Sequence, residues 1–181
     1  MNTYLSLPLV LLLLACIGIR ASAQENYPTP PNGKHRLFYI QRTGNTNTIV
    51  YDANVTGKNA FKNGDPINIY WIRYAEDGSM QGLNYLQRTF AYGVKTKKIA
   101  GAGEYEFQLV CYSKKKLRLA FDAQGEPYAA LKMSGRDMKL ERIFVKIDKS
   151  TTFTLTPKVE YVELWGKDPR TGAAIYEKFI P

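Results

Sequence analysis

Ile67-Asn68-Ile69-Tyr70-Trp71-Ile72-Arg73-Tyr74 is the stretch that decides the fold class. In an extended chain Ile67, Ile69, Trp71 and Arg73 point one way, and Asn68, Tyr70 and Ile72 the other. That period of two belongs to a strand, because a helix groups side chains three and four apart. Turn chemistry closes both ends of the run. Asn63-Gly64-Asp65-Pro66 precedes it and Glu76-Asp77-Gly78-Ser79 follows.

The same pattern spreads in both directions. Upstream, Arg36–Arg42 and Thr48–Tyr51 are β-prone runs joined by Gly44-Asn45-Thr46-Asn47, which predicts a hairpin. Downstream, Tyr105, Phe107, Leu109 and Cys111 share one face, opposite Glu104, Glu106 and Gln108. Lys114-Lys115-Lys116 reads as the next turn, before the strand Leu117–Phe121. Tyr128–Met133, the alternating Ile143-Val145-Ile147, Val159–Trp165 and Ala174–Ile180 complete nine or ten expected strands. One segment differs. In GLNYLQRTFAYG, Leu83, Leu86 and Phe90 recur at helical spacing, which predicts a short helix near Gly82–Phe90. The expected architecture is an all-β, antiparallel two-sheet sandwich with one short helix. A closed β-barrel enclosing a small apolar ligand is the alternative.

Composition agrees with one β domain. The chain has 181 residues, 45% apolar and 13% aromatic, so it is neither disordered nor of low complexity. Two cysteines and one histidine exclude a disulfide-dense scaffold and a His-rich metal site. Lys and Arg number 25 against 16 Asp and Glu, for a net charge of +9. Such a balance favours anionic partners.

The first segment reads as an address. Leu5–Ile19 is uncharged and apolar but too short to span a bilayer, and Ala21-Ser22-Ala23 offers a cleavage site. Residues 1–23 are therefore expected to be a signal peptide, 24–34 a flexible Pro-rich lead-in and 35–181 a single β domain. The expected location is secreted or periplasmic, with no transmembrane span in the mature chain. The alternative uses Leu13-Leu14-Ala15-Cys16 as a lipobox and anchors the chain through Cys16.

Chemistry is sparse. There is no phosphate loop, GxSxG elbow, HExxH or paired CxxC. His35, at the start of the domain, reads as a solvent-facing residue, which leaves a Ser-His-Asp triad without its base. Cys111 reads as a small buried hydrophobe. The lysines at 95, 97, 98 and 114–116 read as protected edges and turns, so nucleic acid is not the expected partner. No metal ligand set or cofactor is expected. The densest polar and aromatic cluster joins Arg42, Asn45, Asn47, Arg73, Gln87 and Arg88, with Tyr39, Tyr70, Trp71 and Tyr74 nearby. Arginines of this kind favour carboxylate, phosphate or sulfate groups.

LFYIQRTGNTNTIVYDAN, PINIYWIRYAEDG and LNYLQRTFAYGVK resemble an uncharacterised family of exported bacterial proteins, domain of unknown function 4833. The resemblance runs from Leu37 to the C-terminus. It implies that Arg42, Asn45, Asn47, Tyr51, Trp71, Arg73, Gln87, Tyr92 and Gly93 are recurrent positions. It implies export and transfers no activity. The expected function is therefore an exported binding or structural module for an anionic glycan, a lipid headgroup or an envelope protein. The alternative is a small carbohydrate-active hydrolase using two carboxylates.

Overall fold

The computed structural model describes residues 27–151 and 157–181. The expected signal peptide, its cleavage site and the lipid-anchor candidate Cys16 lie outside the described residues. Tyr27 to Pro31, from the expected lead-in, lie against the sheet. The Pro28 carbonyl accepts from Gln41 Nε2 at 2.7 Å, and the Tyr27 ring meets Phe144 edge-on at 5.1 Å.

The described residues form thirteen strands, one short α-helix and a single 3-10 turn at Lys149–Thr151. The first part of the chain supplies β1 (Arg36–Arg42), β2 (Asn45–Ala53), the short β3 (Val55–Gly57) and β4 (Ala60–Phe61), β5 (Ile67–Ile72) and β6 (Met80–Gly82). Helix α1 (Tyr85–Phe90) intervenes. The second part supplies β7 (Val94–Lys98), β8 (Tyr105–Leu109), β9 (Tyr112–Phe121), β10 (Pro127–Met133), β11 (Arg136–Ile147), β12 (Val159–Lys167) and β13 (Ala174–Phe179). The all-β class holds, with α1 where its spacing placed it. The strand count exceeds nine or ten because β3, β4 and β6 are too short to show a period.

The sheet is organised around β11. Its start, Arg136–Lys139, pairs antiparallel with β10, and Arg142–Val145 pair in parallel with β1. β12 covers Lys139–Ile147 and in turn carries β13. A strand has only two edges, so β10 and β1 must succeed each other along one edge of β11. From there two wings diverge, β1-β2-β5-β6 and β10-β9-β8-β7, within a single sheet of eleven strands. β3 and β4 form a separate ribbon. Among the described strands, the β1–β11 pair is the one departure from antiparallel pairing. It needs no short crossover helix, because the whole second wing lies between the two strands in sequence.

The wings face each other like the layers of a sandwich. Phe38 of β1 stacks on Tyr51 of β2 at 4.4 Å between centroids and on Phe107 of β8 at 6.4 Å. Phe61 stacks on Phe121 at 4.1 Å. Alternation in β5 and β8 buries Ile67, Ile69, Tyr105, Phe107 and Leu109 in this core. The closed-barrel alternative is corrected: β6 and β7 do not pair, and the sheet is an open, curled half-barrel. Between those two strands runs α1, whose backbone bonds are internal and cannot continue a ladder.

Two expected turns also move. Lys114–Lys116 are inside β9, and the reversal before it is the pair Val110–Cys111, flanked by the Leu109–Tyr112 register. Cys111 therefore sits exposed in a turn and not at the end of a buried face. The first hairpin turns at Thr43–Gly44, with Gly44 at φ 82°, so Asn45–Asn47 already belong to β2. Thr43 extends the parallel seam. Its N–H donates to the Val145 carbonyl at 3.1 Å, and its hydroxyl accepts from Ile147 N–H at 2.8 Å.

Candidate functional site: a cavity in the half-barrel

The six expected site residues divide into three settings. Asn45, Asn47 and Arg73 form a turn cluster. Asn45 Oδ1 accepts the Asn47 N–H at 2.6 Å, a local bond that shapes the strand entrance. Asn47 then reaches the turn after β5. Its Oδ1 accepts the Ala75 N–H at 2.8 Å, and its Nδ2 donates to Glu76 Oε1 at 3.2 Å. Arg73 Nε lies 3.5 Å from Glu76 Oε2. Register brings these together, because Thr48 stands opposite Ile72.

Gln87 belongs to the second setting. Asn84 caps α1 by accepting the Gln87 N–H at 2.9 Å, while Gln87 Oε1 accepts the Asn84 N–H at 3.0 Å. This is a reciprocal capping box. The same oxygen accepts Trp71 Nε1–H at 3.3 Å, which fastens the helix to β5. Trp71 is half-buried and meets Tyr92 edge-on at 5.0 Å. The Tyr51 hydroxyl donates to the Tyr92 backbone carbonyl at 2.8 Å. Gly93 follows, packed so closely on the Arg88 carbonyl that any Cβ would collide with it. Its own carbonyl accepts the Val110 N–H at 3.0 Å, so this segment ties the first wing to the second. Arg88 is exposed in the last turn of α1, where a cation suits the helix dipole.

Arg42 occupies the third setting. It follows Ile40 by two residues, shares its face, and with it lines a cavity of about 460 Å³. Aliphatic walls come from Leu109, Leu117 and Leu131 of the second wing, Ile143, Val145 and Ile147 of β11, and Val162 and Leu164 of β12. Phe90, Tyr92, Cys111, Tyr112, Lys115 and Phe179 also contribute. The cavity lies where β12 and β13, carried on the other edge of β11, come near the second wing, with Phe179 of β13 6.1 Å from Tyr112 of β9 between ring centroids. That volume suits a small molecule, in the roughly 300–1,000 Å³ range of ligand pockets.

Its ionisable groups are unevenly charged. Burial raises the Tyr92 phenol, although the nearby Arg42 guanidinium opposes the rise. The Cys111 thiol opens into the cavity but is still enclosed enough that desolvation raises it. Both are therefore neutral near pH 7. Arg42 and the half-buried Lys115 are cations, and among the described residues no Asp or Glu lines the cavity.

Sequence reasoning placed Arg42 in a functional cluster but missed the cavity. The usable signal was the face shared by Ile40 and Arg42 opposite Ile143-Val145-Ile147. The parallel pairing that joins them has no local sequence signature. Carboxylates elsewhere mostly sit beside cations: Asp52 with Arg36 at 2.6 Å, Asp122 with Lys139 at 3.1 Å and Glu141 with Lys167 at 2.6 Å. Among the described residues no cluster of His, Cys, Asp and Glu could hold a metal. Also among them, no helix is long and apolar enough to cross a membrane, which says nothing of crossing by strands.

No curated protein and no solved structure matches the chain. A family model does, over residues 38–178, which takes in the wings, α1, the β11 hub and nearly all of the cavity wall: the chain belongs to the family described as Domain of unknown function (DUF4833).

Proposed function

We propose that this protein is an exported, non-catalytic binding module that holds a small, largely apolar molecule in the cavity at the end of its half-barrel. One observation carries the reading. A cavity of about 460 Å³ walled by leucine, isoleucine and valine opens beside an otherwise tightly stacked aromatic core. Filling it removes apolar ligand surface from water at about 25 cal/mol per Å². The rival hydrolase needs two facing carboxylates, and the lining supplies none. Secretion or a periplasmic location rests on Leu5–Ile19 and Ala21-Ser22-Ala23. The alternative anchor is Cys16. An anionic glycan, a headgroup or an envelope protein at the Asn45, Asn47, Arg73 and Arg88 surface is a weaker reading, because Asn45, Asn47 and Arg73 already bond within their own turn cluster.

The test uses Nile red, a neutral dye that brightens in apolar surroundings. Titrated into the mature protein, it should give a saturable rise with one site per chain. Val145→Trp, which fills the cavity from β11, should abolish the rise while the protein still melts cooperatively. A folded Val145→Trp protein that binds the dye as well as the parent would place the dye elsewhere and sink the reading.

A further inference from the structure

Among the described residues, Arg42 has no partner that accounts for its place. Its Nε is buried without a hydrogen-bond partner, and no ion pair or ring contact involves it among the described residues. The side chain is half-buried, so it is the inward-facing Nε–H that goes unsatisfied, at a cost that arginine cannot escape by losing its proton. Two other buried nitrogens share the first symptom, and both have an explanation. Arg142 Nε also lacks a partner, but its guanidinium lies 4.5 Å from the Trp165 ring centroid and 5.7 Å from that of Phe144. Those rings supply cation–π attraction. His35 Nδ1 belongs to an imidazole, which unlike a guanidinium carries no permanent charge. Among the described residues, only Arg42 combines a permanent charge, a buried unpartnered N–H and a wall of hydrocarbon with no ring beneath it.

The cavity offers it no counter-charge. Tyr92 and Cys111 are neutral, Lys115 adds a second cation, and no carboxylate side chain lines the wall. Pro181 lines the cavity too, and no ion pair joins it to Arg42 or Lys115 among the described residues. What completes the site must therefore bring an anion at one end and hydrocarbon along the rest.

Resting on the reading of the cavity as a binding site, we propose that its ligand is a single-chain aliphatic carboxylate, with the carboxylate on Arg42 and the tail along Leu109, Leu117, Leu131 and Val145. A guanidinium forks onto a carboxylate in two parallel hydrogen bonds, so the pairing fits the orphaned Nε–H as well as the charge. Lys115, half-buried on the same wall, adds attraction without that geometry. Each methylene that leaves water strengthens binding, by about 0.8 kcal/mol when fully buried. Affinity should therefore climb with chain length until the cavity is full.

The experiment measures how well decanoate, decanol and decyltrimethylammonium displace Nile red from the full mature chain, each below its micelle concentration. Decanoate should outcompete decanol at least tenfold, and the ammonium should be the weakest. In Arg42→Met the decanoate-to-decanol ratio should fall to about one, and Arg42→Lys should recover part of it. Arg42→Gln replaces the methionine variant should that one not fold. Equal displacement by decanoate and decanol in the parent protein would overturn the carboxylate assignment and leave the cavity reading standing. So would a preference that survives loss of Arg42. If Nile red itself fails to bind, the cavity reading falls and the assignment falls with it. Decyl phosphate displacing tenfold better than decanoate would replace the carboxylate by a phosphate head and refute the proposal as stated.

Discussion

The two ends of the half-barrel are built from the same strands and solve opposite problems. At one end Phe38, Tyr51, Phe107, Phe61 and Phe121 stack ring on ring, and the space between the wings is filled. At the other end strands of the same sheet present Leu, Ile and Val, whose shorter side chains stay joined to the core but leave a cavity between them. β1 shows the change within one strand: Phe38 fills its space, Ile40 borders the cavity and Arg42 charges it. Side-chain size along one face is thus enough to make one end structural and the other receptive. Polar contacts follow the same division. Asn47, Gln87 and Thr43 spend their hydrogen bonds on turns and seams, whereas Arg42 leaves one unmade inside the cavity.

The largest expected effect tests that contrast directly. Phe38→Ala removes a fully buried ring from the packed end and should cost about 3–5 kcal/mol. Val145→Ala removes methyl groups that already face open space, so little new void forms, and the cost should be about 1 kcal/mol. Urea unfolding of both variants, with the slope unchanged, measures the difference. Equal losses would mean that the cavity end is packed in solution and that the two ends are not distinct.

Next in size is Asn47→Ala. It strips the Ala75 N–H and one Glu76 oxygen of their partner at the turn after β5. Leaving a partly buried donor unsatisfied costs about 1–3 kcal/mol. Melting should fall accordingly, with Nile red binding retained, because Asn47 does not line the cavity. Loss of dye binding in a folded Asn47→Ala protein would join the two regions that the comparison separates.

How much of this was legible follows the range of the interactions. Tyr105–Leu109 could be read because burial alternates residue by residue, and Ile67–Ile72 because its first four residues do; Ile72, on the other face, is buried as well. The spacing of Leu83, Leu86 and Phe90 located α1, although Leu86 and Phe90 turn out exposed and the Asn84–Gln87 capping box, which the spacing did not show, fixes where the helix starts. Lys114–Lys116 misled because lysines are at home both in turns and on exposed strand positions, and here they extend β9. The β1–β11 seam was beyond reach. Its partners, Tyr39–Arg42 and Arg142–Val145, are far apart in the chain, and nothing in either run specifies the other. The cavity hangs on that seam. Arg42 could be singled out as chemically unusual, but its surroundings could not.

The smallest expected effect is a pH dependence that separates the ends by their ionisation. Asp122 sits in the β9–β10 turn, away from the cavity lining. Partial burial would raise its carboxyl. The N–H groups of Glu126 and Gln124 and the Lys139 ammonium outweigh that, so its pKa is lowered from 3.8. A carboxylate held below its unfolded value contributes stability that is fully present above that value. The contribution is lost as pH falls through the lower folded one. Asp122→Asn should therefore flatten the loss of stability below about pH 4. At neutral pH it should cost no more than about 1 kcal/mol, since both side chains keep some contact with solvent. Arg42→Met should leave this acid limb as it is, because a guanidinium keeps its proton throughout the range. Urea midpoints of the three proteins between pH 2.5 and 7 decide it. An Arg42→Met protein whose acid limb moves would show that a carboxylate is paired with Arg42 in solution, and the charge at the receptive end would then be internally compensated.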